Sequence, residues 1–113
     1  MVDENNSLLL KLEELEARFC EIEKQINDPA ISSNSTRLIT LRKEQGKLKA
    51  IVTKYREYKS TTAAIGDAEE IFKDSTIEED FKAMAKEEIN QLEDKKTNLI
   101  EELQNTLVMA DEI

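Results

Sequence analysis

Apolar residues recur along this chain at helical intervals. Leu8, Leu12, Leu15, Phe19, Ile22 and Ile26 step by four, three, four, three and four, the narrow seam of helices packed at a shallow angle. This predicts a first helix over 8–26, capped at its start by Ser7 or Asn6 accepting a backbone N–H. Asn27-Asp28-Pro29 ends it, because the residue before proline is pushed out of the α region and proline has no N–H to donate. A loop over 30–34 follows, with Ile31 tucked back on the core, and Ser35 or Thr36 is expected to cap the second helix.

In the second helix Leu38, Leu41, Gln45, Leu48, Val52 and Tyr55 fall on one stripe. Tyr58, Thr62, Ile65, Ala68 and Phe72 extend it, but it weakens at Ser60-Thr61-Thr62, and Gly66 follows. A glycine costs about 1 kcal/mol against alanine inside a helix, so a bend or break is expected over 60–66, with a short helical piece to about Phe72. Gly46, mid-seam, is expected to permit close packing. Ser75 with Glu78 makes a capping box for a third helix, which should run from about Thr76 to Val108. Its seam is Phe81, Ala85, Ile89, Leu92, Leu99, Leu103 and Leu107, interrupted by Lys96. Asp111 and Glu112 would sit badly at the negative end of a helix dipole, so the helix should stop before them. Three amphipathic helices joined by short polar turns imply an all-α fold, an antiparallel three-helix bundle of long helices.

Composition agrees with helices. The 113 residues include two glycines, one proline and no tryptophan, with 36% charged and 4% aromatic side chains. Length indicates one domain over 1–113, and the chain stops at Ile113 without a cap or tail, as if cut from something longer. Charge changes the picture more. Eight of the sixteen Lys and Arg residues lie between Arg37 and Lys59 against only Glu44 and Glu57. That window carries +6 in a chain of net −9, leaving −15 for the rest. The overall charge argues against general nucleic-acid binding, DNA included, but not against a local basic contact.

At 100° per residue the basic side chains of the second helix sort into two sets. Arg42, Lys49 and Arg56 flank the seam and are candidates for ion pairing within the bundle. Lys43, Lys47 and Lys54 point away from it, as a solvated face or as the candidate partner contact. Tyr55 and Tyr58 are open to two readings: a base-stacking platform beside Lys54 and Arg56, or core packing with the hydroxyls at the rim.

Enzyme chemistry finds no footing. There is no histidine, the commonest general base and metal ligand. Cys20 is the only cysteine, so no internal disulfide forms and a reducing compartment is implied; a structural thiol beside Phe19 is the reading adopted. Carboxylates are spread along solvent faces without the convergence that a metal needs, and two isolated glycines build no phosphate loop. No cofactor is expected. Asp3 and Glu4 stand where a signal peptide would carry Lys or Arg, and no apolar run approaches membrane-spanning length. A soluble cytoplasmic protein is the expectation.

An ordered set of short motifs carries a family likeness: Asn27-Asp28-Pro29, then Leu41-Arg42-Lys43-Glu44 with Leu48, Ile51-Val52, Tyr55-Arg56-Glu57-Tyr58, and Met84-Ala85-Lys86-Glu87-Glu88. In this order and spacing the chain resembles the N-terminal helical domain of bacterial peptide chain release factor 1, the class-I factor reading UAA and UAG. The resemblance covers nearly the whole chain. It implies a domain that docks near the stalk base of the large ribosomal subunit, on protein or rRNA, and that bears on the class-II release-factor GTPase. The family's Gly-Gly-Gln hydrolysis motif is absent, since Gly46 and Gly66 are isolated. Its Pro-x-Thr codon reader is absent too, since Pro29 is followed by Ala30 and Ile31. The resemblance therefore implies a docking and positioning piece of a longer termination factor; three seams able to satisfy one another within one chain predict that this piece is monomeric by itself. The competing class is a free-standing helical coiled-coil scaffold unrelated to the ribosome.

Overall fold

The computed structural model describes residues 4–111. Four helices follow in order: α1 (Glu4–Asn27), α2 (Pro29–Ser32), α3 (Ser35–Lys73) and α4 (Glu79–Asp111). No strand occurs among the described residues, and the fold is all-α. The chain divides into two compact units, Met1–Thr53 and Lys54–Ile113, with the boundary inside α3.

The first unit holds α1, α2 and the opening turns of α3. Leu8, Leu12, Phe19 and Ile22 of the α1 seam are buried, while Leu15 and Ile26 are half-buried. Helix α1 begins before its expected start, so Asn6 and Ser7 lie within it rather than capping it. Pro29 ends α1 but also starts a new turn. Asp28, extended at φ −83° and ψ 118°, accepts the N–H of Ala30 at 3.0 Å, with proline at the first helical position. There a missing N–H costs nothing. The expected 30–34 loop is thus largely the single turn α2, with Ile31 half-buried. Asn34 caps α3 in place of Ser35 or Thr36, its Oδ1 accepting the N–H of Arg37 at 3.2 Å. Leu41, Ile51 and Val52 are the buried residues that α3 adds to this unit.

The second unit holds the rest of α3 and α4. Helix α3 passes through 60–66 without the expected bend or break. Thr61 and Thr62 turn their hydroxyls onto the carbonyls of Glu57 (2.8 Å) and Tyr58 (3.0 Å), so neither needs water. Tyr58, Thr61, Ile65 and Ala68 are all buried, and that burial outweighs a single glycine penalty of about 1 kcal/mol. At both Gly46 and Gly66 an added Cβ would meet nothing within 4 Å; Gly46 does not mark the close approach expected of it.

Asp74 organises the α3–α4 turn, its Oδ1 accepting from the backbone N–H (2.8 Å) and hydroxyl (2.6 Å) of Thr76. The Ser75–Glu78 capping box gives way to a later start. Glu78 itself precedes the helix, its carbonyl accepting the N–H groups of Phe81 and Lys82, both at 3.1 Å. Ala85, Leu99 and Leu103 are the buried part of the α4 seam, whereas Phe81, two residues into the helix, is 57% exposed. The helix continues to Asp111, past its expected end. A terminal carboxylate costs only about 0.3–1 kcal/mol at a helix C-terminus, and the half-buried Leu107 carries the seam into the last turn. Glu112 lies outside the described residues.

Candidate functional site

Each unit has its own polar arrangement on α3. In the first, Arg18 of α1 reaches Glu44 of α3 through two parallel hydrogen bonds, Nε to Oε2 at 2.6 Å and Nη2 to Oε1 at 2.7 Å. Arg18 lies nine residues before the end of α1, and Glu44 nine after the start of α3. The helices therefore run antiparallel on either side of the α2 turn. The Arg18 hydrogen bond, with lesser help from the charges of Arg18 and Lys47, holds the Glu44 carboxyl below its ordinary range. The same bond raises Arg18. The fork geometry of guanidinium on carboxylate fixes register as well as adding charge attraction.

Around this pair, Lys43 and Lys47 stand exposed, and neither makes an ion pair among the described residues. Glu44 lies between them but is occupied by Arg18, so the face keeps its positive sign. Arg42 and Lys49, assigned by spacing to intrabundle pairing, are exposed as well, and no ion pair involves them among the described residues.

In the second unit, Lys54 is half-buried and its Nζ lies 2.9 Å from Glu102 of α4. Spacing placed it with Lys43 and Lys47 on the outward face; tertiary structure gives it an acidic partner. Lys95 of α4 meets Glu57 at 3.3 Å. Partners on α4 fall in number as those on α3 rise, so these segments are antiparallel too. Arg56 is exposed and already engaged.

Tyr55 and Tyr58 are only 3% and 8% exposed, with ring centroids 6.2 Å apart and planes 14° from parallel. Buried rings offer no face to a nucleobase, so core packing replaces the stacking platform. Lys59 lies over the Tyr55 ring at 4.8 Å and Lys96 over Tyr58 at 6.0 Å. Such contacts are worth about 0.5–1 kcal/mol where exposed. Lys96 thus interrupts the α4 seam without leaving a buried charge unpaired.

Three features escaped the sequence reading. Arg18 was unremarkable as one cation among the acids of α1. Glu102 was one of many carboxylates. The exposed apolar residues Ile71, Phe72, Phe81 and Met84, all at least 42% exposed, were hidden because Phe72 and Phe81 fit seam positions. Their nearness to helix ends, where a stripe loses its partner, was the available signal.

Among the described residues no His, Cys, Asp or Glu cluster could hold a metal ion, and no helix is long and apolar enough to cross a membrane. Cys20 is half-buried.

The model of the PCRF domain matches residues 15–113. Among curated proteins, the chain is 38% identical over 104 residues to peptide chain release factor 1 of Caldicellulosiruptor saccharolyticus and 40% identical over 104 residues to that of Alkaliphilus oremlandii. Each alignment covers 92% of this chain and 29% of the relative. The factor of Listeria monocytogenes is 36% identical over 101 residues, 89% of this chain and 28% of its own length. The chain thus spans less than a third of the length of the curated relatives that it matches. No solved structure matches. With nearly all of its helical scaffold inside the matched range, the chain belongs to the PCRF domain family, whose curated relatives here are named peptide chain release factor 1.

Proposed function

We propose that this chain is the N-terminal docking and positioning domain of a longer translation termination factor. One observation carries the reading: the match to the PCRF domain over residues 15–113, with release-factor relatives along nearly the same span. The factor would work in the cytoplasm on stop-programmed ribosomes, near the stalk base of the large subunit, and would respond to the class-II release-factor GTPase. This chain would position it and leave ester hydrolysis to residues elsewhere, since the sequence contains neither Gly-Gly-Gln nor Pro-x-Thr.

The exposed face of α3 at Lys43 and Lys47 is the proposed ribosome contact, to rRNA phosphates or an acidic protein surface. Both side chains lack an ion pair among the described residues, and the acid between them is held by Arg18. Lys54 contributes less, being held by Glu102. Arg42 and Lys49 lie exposed on the same basic stretch as secondary contacts.

The test is Lys43→Gln with Lys47→Gln in the full-length factor. Helical content and melting should hold, because exposed substitutions usually stay within about ±0.5 kcal/mol. Association with stop-programmed ribosomes should slow. If the partners are phosphates, the slope of log K against log salt should flatten by about 2. Parent-like association at every salt concentration would reduce this face to solvated charge. Stop-codon-dependent hydrolysis by the isolated chain would overturn the assignment of chemistry to the rest of the factor.

A further inference from the structure

The second unit has a feature that the ribosome-docking reading does not use. A groove of about 500 Å³ is lined by Ile71 at the end of α3 and by Phe81, Met84 and Ala85 at the start of α4, with Glu87 and Glu88 beside them. Ile71 is 42%, Phe81 57% and Met84 66% exposed, and Phe72, 42% exposed, adjoins Ile71 in sequence. Large apolar side chains gathered at one site on an otherwise charged surface offer anchors to a partner.

The charge around the groove selects the occupant. Residues 67–94 contain eleven Asp and Glu against Lys73, Lys82 and Lys86, a net of −8. Lys73 is partly cancelled by Glu69 at 3.9 Å. The hydrogen bonds from Thr76 hold the Asp74 carboxyl below the usual carboxylate range. A nucleic-acid backbone or an anionic lipid surface would be repelled. A second copy meeting this site about a two-fold axis would bring two −8 segments together, and like charge across an interface is strongly disfavoured. An amphipathic helix with apolar anchors and Lys or Arg flanks satisfies both the groove and its surroundings. Met84, unbranched and polarisable, can adapt to anchors of differing shape.

We propose that the Ile71–Phe81–Met84 groove of the second unit docks a cationic amphipathic helix of a partner protein. The apolar side chains supply the anchoring contacts, and the acids speed encounter and set orientation.

The probe is a labelled synthetic helix with leucines at i, i+3, i+4 and i+7 flanked by lysines, titrated into the whole chain by fluorescence anisotropy. Saturable binding is expected, weakened at least about tenfold (about 1.4 kcal/mol) by Phe81→Ser with Met84→Ser, since these side chains are the central anchors. Circular dichroism should show that the variant stays folded. Glu87→Lys with Glu88→Lys, which leaves the apolar side chains in place, should weaken binding as well. Backbone amide shifts should cluster over residues 71–91. A peptide of equal charge, scrambled so that its leucines share no face, should bind at least about tenfold more weakly. The proposal is overturned if the scrambled peptide binds equally, if the serine variant binds like the parent, or if no saturable binding occurs. Concentration-dependent dimerisation abolished by the serine changes would assign the groove to a second copy instead.

Discussion

Replacing Gly46 and Gly66 by alanine tests whether α3 is one continuous helix. Both glycines lie inside α3, neither has a positive φ, and an added Cβ at either would meet nothing within 4 Å. Glycine in a helix interior is less favourable than alanine by about 0.8–1.0 kcal/mol, mostly through the backbone freedom it retains when unfolded. With no steric cost to set against that gain, each change should stabilise by nearly 1 kcal/mol. Twenty positions separate the two sites, so the effects should add to about 2 kcal/mol. An unfolding entropy of about 2.1 cal/mol/K per residue converts this to a rise in Tm of roughly 4 °C per substitution and 8 °C together. Circular dichroism melts and urea titrations would read it, with an unchanged m-value showing that the unfolding reaction is the same. Gly66→Pro sharpens the contrast. In a continuous helix it should cost about 2 kcal/mol relative to glycine, whereas a break at that site would tolerate it. A neutral or destabilising Gly66→Ala, or a harmless Gly66→Pro, would refute the continuity of α3 through 60–66.

Leu103, fully buried, should lose about 2–5 kcal/mol on Leu103→Ala, while Leu10→Ala, at a side chain 67% exposed, should stay within about 0.5 kcal/mol; parallel urea titrations compare them. Glu44 has a folded-state pKa below its unfolded value, so the Arg18 pair adds stability that is present above the unfolded carboxylate range and lost as pH falls through the lowered value. Both side chains are more than a third exposed, so the effect should be under about 1 kcal/mol. It should appear as a flatter acid limb in melts of Glu44→Gln between about pH 5 and 3. Lys54→Gln should lower stability by at most about 1 kcal/mol, and high salt should shrink the difference from the parent.

Periodicity alone determined that the chain is helical and located much of its core. Leu12, Phe19, Ile22, Val52, Tyr55, Leu99 and Leu103 sit on three-and-four spacings and are all buried, because a helix offers one stripe for burial and spacing specifies it. Pro29 fixed the end of α1 through its own covalent geometry. Tertiary structure decided what depends on partners distant in sequence. Continuity of α3 through Thr61 and Gly66 came from burial of Tyr58, Ile65 and Ala68, which a local propensity scale does not count. The capping roles of Asp28 and Asn34, and the turn-forming role of Asp74, went to whichever side-chain oxygen met a free N–H, a matter of one or two residues of backbone path. The assignment of Arg18 to Glu44 and of Lys54 to Glu102 needed helices facing each other across 26 and 48 residues of chain. One-dimensional charge spacing cannot choose among twenty-five carboxylates. The exposed ring of Phe81 followed from where α4 begins, since a seam position in a first turn has neighbours on only one side.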